Sequence, residues 1–312
     1  MTKNILITGG AGYIGSMLIT NLLDFGHKVT LIDNLAYPKD AINHLFVNKN
    51  FNFIKEDACK DKVIKKYMTN KDYIIPLAAL VGAPLCEKNK RKAIKTNIGS
   101  IKTILKYKKK SQKIIYLTTN SGYGIGEKNK YCDENSELRP VSLYGKTKNL
   151  SEELVRKKDN YICFRLATVF GYSYRMRTDL IVNNFVLTAM NKKKLVIFEP
   201  HFRRNFIHIK DVVRAVIFSM NNFNKMKNNV YNLGLSNANI TKINLAKKIK
   251  KKLKYLKIEI KHNMKDPDQR DYFVSNKKIE KKGFKAIYNL DDGISELIKV
   301  YSDNNKKYLN NY

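Results

Sequence analysis

The chain has 312 residues, with 60 lysines and arginines against 27 aspartates and glutamates, a formal charge of +33. That length holds a large sheet domain and a smaller lobe but no further large module. No apolar run approaches the ~18 residues that cross a bilayer, and no basic-then-apolar leader precedes the first strand, so a soluble cytoplasmic protein with no membrane role is expected.

Cys59, Cys86, Cys132 and Cys163 lack CxxC spacing, which argues against a metal centre or a disulfide framework and for a reducing compartment. The positive excess is mostly lysine, in runs such as 106–110, 192–194 and 247–252, and accompanies much asparagine and isoleucine. A coding bias toward A and T accounts for it, and no specific nucleic-acid partner is expected.

In chain order, residues 3–8 read as a short buried strand, Gly9 to Gly15 as a glycine turn and 16–25 as a helix. Gly9 allows the tight turn, Gly12 lets backbone approach a pyrophosphate, Gly15 lets helix pack on strand, and the helix N-terminus faces the phosphates. Tyr13 and Ile14 belong to the same turn. A second strand, 27–33, ends in Asp33 before Asn34, at the spacing that suits adenosine ribose hydroxyls. An acid there repels a 2′-phosphate, so NAD is expected rather than NADP.

Residues 51–54 form a third strand that leads to Asp57-Ala58, an adenine-side loop in which Asp57 could equally cap a helix. A fourth strand, 72–75, runs into Pro76 and then Leu77, Ala78 and Ala79, small enough for backbone to lie against a dinucleotide. A helix near 89–109 carries Asn97, and strand 113–119 ends at Thr119.

Tyr144 and Lys148 sit four apart and so share a helix face. An ammonium beside a phenol favours the phenolate, which makes tyrosine a competent base near neutral pH. Alone, such a pair in a lysine-rich chain is more often a solvated helix face. Further strands are expected at 160–165, 195–198, 229–232 and 257–261, with helices near 143–158, 179–191, 210–221, 241–253 and 291–302.

Taken together, Gly9 to Gly15, Asp33, Asp57-Ala58, Leu77 to Ala79, Asn97, Thr119, Tyr144 with Lys148, 165–171 and 204–208 resemble the extended short-chain dehydrogenase/reductases, the NAD-dependent epimerase and dehydratase family acting on nucleotide sugars. The resemblance covers nearly the whole chain; Pro76 departs from the histidine of many members. It implies a Rossmann-type doubly wound parallel sheet with a smaller, discontinuous α/β substrate lobe. The cofactor domain would be 1–170 plus about 209–233, and the nucleotide-sugar lobe 171–208 plus 234–312.

The resemblance implies Thr119, Tyr144 and Lys148 as catalytic residues. Val81, Asn120, Ser121, Arg175, Asn183, Asn184, Arg204 and Arg270 would meet the substrate, the last reached through Asp266-Pro-Asp-Gln-Arg270. Arginine forks suit phosphate oxygens, and His208 is expected to be a structural partner rather than a base.

In the nucleotide-sugar 4,6-dehydratases the threonine is followed by an Asp-Glu pair; here Asn120 and Ser121 follow Thr119, and neither supplies a carboxylic acid or carboxylate. The reaction expected is therefore C4 oxidation. Residues 117–127, 77–86 and 175–177 are most similar to the GDP-heptose 4-dehydrogenases of bacterial capsule pathways, which implies a GDP-linked sugar and a keto-acid co-substrate to reoxidise NADH. A UDP- or dTDP-hexose 4-epimerase and a non-catalytic NAD-binding scaffold remain open. Apolar stripes at Ile94, Ile98, Ile101 and Leu105 and at Leu150 and Leu154 fit a homodimer or dimer of dimers as well as a core.

Overall fold

A computed structural model describes residues 1–37, 39–127, 130–261 and 270–303; residues 266–269, expected to lead into Arg270, lie outside them. Seven parallel strands form the main sheet: β1 (Asn4–Thr8), β2 (Lys28–Asp33), β3 (Phe51–Lys55), β4 (Tyr73–Pro76), β5 (Lys113–Thr119), β6 (Tyr161–Leu166) and β7 (Asn229–Leu233). Their order across the sheet is β7-β6-β5-β4-β1-β2-β3. The chain winds outward from β1 in one direction and then from β4 in the other, so strand order reverses between β1 and β4. Both faces are covered, and the central strands accordingly read as unbroken apolar runs, with every residue of β4 and β6 buried.

Helix α1 (Tyr13–Asp24) begins three residues earlier than the apolar spacing implies, with Gly12 as its N-cap. Tyr13 and Ile14 thereby occupy its first turn. Helix α2 (Asp61–Met68), which is not among the expected elements, buries Ile64 and Met68 and packs Val63 and Tyr67 against the same apolar cluster. The helix expected near 89–109 starts earlier and is broken into Ala83–Lys88, Lys90–Ile94, a π turn at Lys95–Gly99 and Ser100–Tyr107.

Helix α3 (Leu143–Arg156) is capped by Ser142, whose Oγ accepts from the Gly145 amide at 3.2 Å. It is followed by α4 (Ile181–Lys192), α5 (Ile209–Asn221), α6 (Lys242–Lys252) and α7 (Leu290–Asp303).

Among the described residues, four two-stranded pairs lie outside the main sheet. Thr168–Phe170 runs parallel to Phe206–His208, and Lys194–Phe198 parallel to Lys257–Lys261. Tyr131–Cys132 pairs parallel with Phe273–Val274, and Arg203–Arg204, expected only to precede a strand, pairs antiparallel with Ile240–Thr241.

One apolar cluster under the main sheet takes in Ile5, Leu18, Ile115 and Phe164, and also Ile209, Val213 and Leu233 of the later chain. A second joins Phe170, Val186, Leu195, Leu245 and Leu297. The second cluster is thus interrupted in sequence by a segment that packs with the first.

Candidate active site

The glycine turn shows why its residues are small. Gly9 has φ +72°, and a Cβ there would lie 2.3 Å from the Ala78 backbone, so both the turn and the close approach of the β4 loop require glycine. A Cβ on Gly12 would meet nothing nearer than Gly9 O at 3.7 Å, leaving that side open for a ligand. Gly15 differs from expectation: its Cβ would strike the backbone of Gly10 at 2.4 Å, so it seats the helix on the turn rather than on a strand.

The open side borders a cavity of about 390 Å³ at the sheet's reversal point, lined by Gly9, Gly12, Tyr13, Ile14, Gly15, Asp33, Asn34, Asp57, Ala58, Leu77, Ala78, Ala79, Tyr144 and Lys148. Asp33 Oδ2 accepts from Ala11 N at 3.0 Å and Oδ1 from Leu35 N at 2.8 Å, and burial raises its pKa against these bonds. Asp57 Oδ1 accepts from Cys59 N at 2.8 Å, a local turn; the residue that caps α2 is Lys60.

Asn97 is a correction. It is buried in the π turn, its Oδ1 accepting from Leu80 N at 2.8 Å and its Nδ2 donating to Leu80 O at 3.1 Å and Thr147 Oγ1 at 3.0 Å. With its amide consumed, it fixes the cavity wall instead of lining it.

A second cavity of about 530 Å³ continues from the first and is shared with it at Tyr13, Ile14, Val81, Thr118, Tyr144, Leu166 and Arg177. Thr119, Asn184, Arg204, Lys242 and Arg270 line only this second space. Tyr144 therefore stands where the two spaces meet, with Thr119 on the side of the second. Thr118, at that junction, is buried, and its Oγ1 has no hydrogen-bond partner.

Several expected substrate contacts fall elsewhere. Asn183 is buried, its Oδ1 accepting from Gly171 N at 3.1 Å and its Nδ2 donating to Arg177 O at 3.0 Å, so it shapes the loop and offers no amide to a ligand. Arg175 lines the first cavity, its guanidinium 4.6 Å from the centroid of the Tyr37 ring. Asn120 and Ser121 lie behind Thr119, both buried and lining neither cavity. His208 is structural: its Nδ1 accepts from Lys210 N at 3.2 Å, and its Nε2 lies 3.5 Å from Glu296.

The electrostatics also depart from a simple lysine–tyrosine couple. Lys148 is buried with its Nζ 4.2 Å from the centroid of the Tyr116 ring, and burial pushes its pKa from 10.5 down to about 7. Burial raises the Tyr144 phenol, and the cations that act most to lower it are Arg177 and Arg270. Arg177 is clasped by Asp179, with Nε 3.1 Å from Oδ1 and a second bond from Nη2 to Oδ2. Arg177 falls within the 175–177 stretch of the resemblance, whereas Lys242, buried at the start of α6, belongs to none of its motifs.

The glycine cradle, Asp33 and the small-residue loop fit an NAD dinucleotide. The family model described as the NAD dependent epimerase/dehydratase family matches residues 5–234, and the chain belongs to that family. It is 25% identical over 314 residues to a putative UDP-glucose 4-epimerase of Methanocaldococcus jannaschii, covering 97% of this chain and 99% of that one. It is 29% identical over 231 residues to UDP-glucuronic acid decarboxylase 1 of Xenopus tropicalis, covering 70% of this chain but only 54% of that protein's length.

Among solved structures, UDP-glucuronic acid 4-epimerase from Bacillus cereus, in complex with UDP-glucuronic acid and NAD, superposes with a TM-score of 0.84 at 25% identity, covering 96% of this chain and 99% of that one. UDP-glucose 4-epimerase from Thermotoga maritima, with UDP-glucose, gives a TM-score of 0.83 at 25% identity with the same coverage.

Proposed function

We propose that the chain oxidises C4 of a nucleotide-diphosphate sugar, with a GDP-heptose as substrate and a 4-keto sugar for capsule or other surface polysaccharide as product. One observation carries the reading. Among the described residues lining the second cavity, the sole carboxylate is Asp179, tied to Arg177, and Asn120 and Ser121 follow Thr119. Elimination of water across C5 and C6 has no acid or base of its own here. Arg177, Arg204, Arg270 and Lys242 in the same lining favour an anionic ligand such as a diphosphate.

In this reading 1–170 with about 209–233 is the cofactor domain, and 171–208 with 234–312 the sugar-nucleotide lobe; the packing of 209–233 with the first apolar cluster supports the discontinuity, while Ile279 and Phe284 pack with that cluster too. The glycine turn and Asp33 hold the pyrophosphate and adenosine ribose, while Lys148 holds the nicotinamide ribose. Tyr144 takes the C4 hydroxyl proton and Thr119 orients the C4 oxygen. The cofactor, when bound, supplies the acceptor for the C4 hydride. A small keto acid then regenerates its oxidised form.

The full-length likeness to UDP-sugar 4-epimerases favours a second reading, in which the hydride returns to the opposite face of the sugar. Incubation with GDP-heptose, UDP-glucose and dTDP-glucose, followed by absorbance of reduced cofactor and by NMR of the sugar, separates the two. A 4-keto GDP-heptose is expected; a C4 epimer moves the assignment to the second reading, and a 6-deoxy-4-keto product overturns the role given to Asn120 and Ser121. Tyr144→Phe should abolish oxidation while cofactor affinity, measured by fluorescence titration, stays within about threefold.

A further inference from the structure

Among the described residues, a single acidic side chain stands in the wall of the second cavity. Asp179, two residues beyond Arg177, lines that space, and its side chain is 4% exposed. Arg177 holds it as a fork, with Nε donating to Oδ1 at 3.1 Å and Nη2 to Oδ2. A carboxylate offers about four lone-pair sites and a fork takes two; among the described residues no other group bonds this one. The other charged residues of the same lining, Arg177, Arg204, Lys242 and Arg270, are all cations.

An ionised carboxylate accepts hydrogen bonds and donates none. It repels the diphosphate of a nucleotide sugar, which the cations attract, so the groups it can receive from such a ligand are N–H and O–H. Its position selects among them. Arg177 lines both cavities, and among the cations its charge does most to lower the Tyr144 phenol, so the fork that holds Asp179 lies near the group that faces the C4 oxygen. The ring carbon next to C4 that carries a hydroxyl is C3. We propose that Asp179 accepts a hydrogen bond from the C3 hydroxyl of the sugar, and that Arg177 is a positioning residue that fixes the carboxylate for it.

The inference rests on the nucleotide-sugar reading above and deepens it. A carboxylate already held by a fork loses little freedom when a hydroxyl arrives, so the bond is pre-organised. A sugar without that hydroxyl leaves a buried charge short of a donor, and a site built for a hydroxyl rejects the analogue lacking it more strongly than an apolar pocket would. Anchoring C3 also fixes the orientation of the neighbouring C4 before reaction.

The test uses the full chain loaded with NADH, so that no hydride leaves the sugar, and calorimetric titration with GDP, GDP-heptose, UDP-glucose and the 3-deoxy analogue of each sugar nucleotide. On whichever sugar nucleotide binds tighter, the unmutated protein should prefer the parent over its 3-deoxy analogue by roughly tenfold to a hundredfold, the scale of a hydrogen bond to a charged group. In Asp179→Asn, where the acceptor is neutral, that ratio should fall to about threefold or less while GDP affinity does not weaken. A carboxylate that only braced its segment would weaken GDP and sugar nucleotide together and leave the ratio unchanged. A ratio below about twofold in the unmutated protein overturns the inference without any variant. An unchanged ratio in Asp179→Asn overturns it too, as does a loss of GDP affinity equal to the loss for the sugar nucleotide, which would place the donor on ribose or base. Should Asp179→Asn fail to fold, Asp179→Asn with Arg177→Gln removes the buried charge along with its partner and carries the same expectation for the ratio. Hydride transfer is read separately in NAD-loaded protein. If none occurs while the ratios behave as stated, the C4-oxidation reading fails and the Asp179 assignment stands; turnover with a ratio near one does the reverse, and binding of neither sugar nucleotide overturns both.

Discussion

Lys148 illustrates how burial can oppose a function assigned to charge. Its pKa falls from 10.5 to about 7 because the ammonium leaves water for the face of Tyr116 and the core around it. The folded value is depressed, so between pH 7 and about 10.5 the unfolded chain holds more protons, and stability from this group rises with pH across that window, by at most about 1.4 kcal/mol per pH unit. Lys148→Met should therefore raise the Tm of the cofactor-free protein at pH 7 and lose that advantage near pH 10, as differential scanning fluorimetry would show; a pH-independent change contradicts the assignment. Tyr144 has the complementary problem, because burial raises its phenol while Arg177 and Arg270 pull it down. Removing the guanidinium in Arg177→Met should shift the acidic, ascending limb of the pH–rate profile upward by about a unit or less. An unmoved limb would leave Arg177 with no electrostatic role at Tyr144.

At the scale of elements, the helix that presents Tyr144 and Lys148 is held to the sheet by a buried ion pair. Arg165 of β6 reaches Glu152 of α3 with Nη2 to Oε1 at 2.7 Å and Nε to both carboxylate oxygens at 3.2 Å. Its Nη1 donates to the Tyr123 hydroxyl at 3.0 Å, and that hydroxyl reaches Asn232 Oδ1 of β7 at 2.7 Å. Against the cost of burying it, Glu152 and Tyr123 keep the guanidinium charged. The network ties α3, two strands and the turn after Thr119 into one frame, so catalytic geometry depends on residues that touch no ligand. Glu152→Ala leaves a buried charge unpaired and should cost about 3–5 kcal/mol in chemical denaturation. Replacing both partners, Glu152→Leu with Arg165→Met, should recover most of that stability; equal losses in the single and double variants would contradict the account. Asn97 and the π turn do similar work for the loop at Leu80, which is why an asparagine expected at the cofactor is found behind it.

For the whole molecule, the same stripes that cover the sheet leave two apolar side chains outside: Ile94 and Leu150 are each 48% exposed, whereas Ile101 and Leu105 are buried. We propose that they meet their copies in a homodimer. Ile94→Asp with Leu150→Asp should halve the mass seen by analytical ultracentrifugation while preserving the fold, and a monomeric unmutated protein would end the proposal.

What the sequence by itself determined was local. Strand and helix periodicity, the glycine turn with Asp33, and the four-residue spacing of Tyr144 and Lys148 follow from backbone sterics and side-chain direction, which act over a few residues. The tertiary structure alone decided which polar groups were left for a ligand. Asn97 and Asn183 spend their amides on distant backbone, Arg175 turns to Tyr37, and Arg177 and Arg270, 93 positions apart, both act on the Tyr144 phenol. Hydrogen-bond satisfaction and burial are properties of neighbours brought together by folding, and no window of sequence contains them.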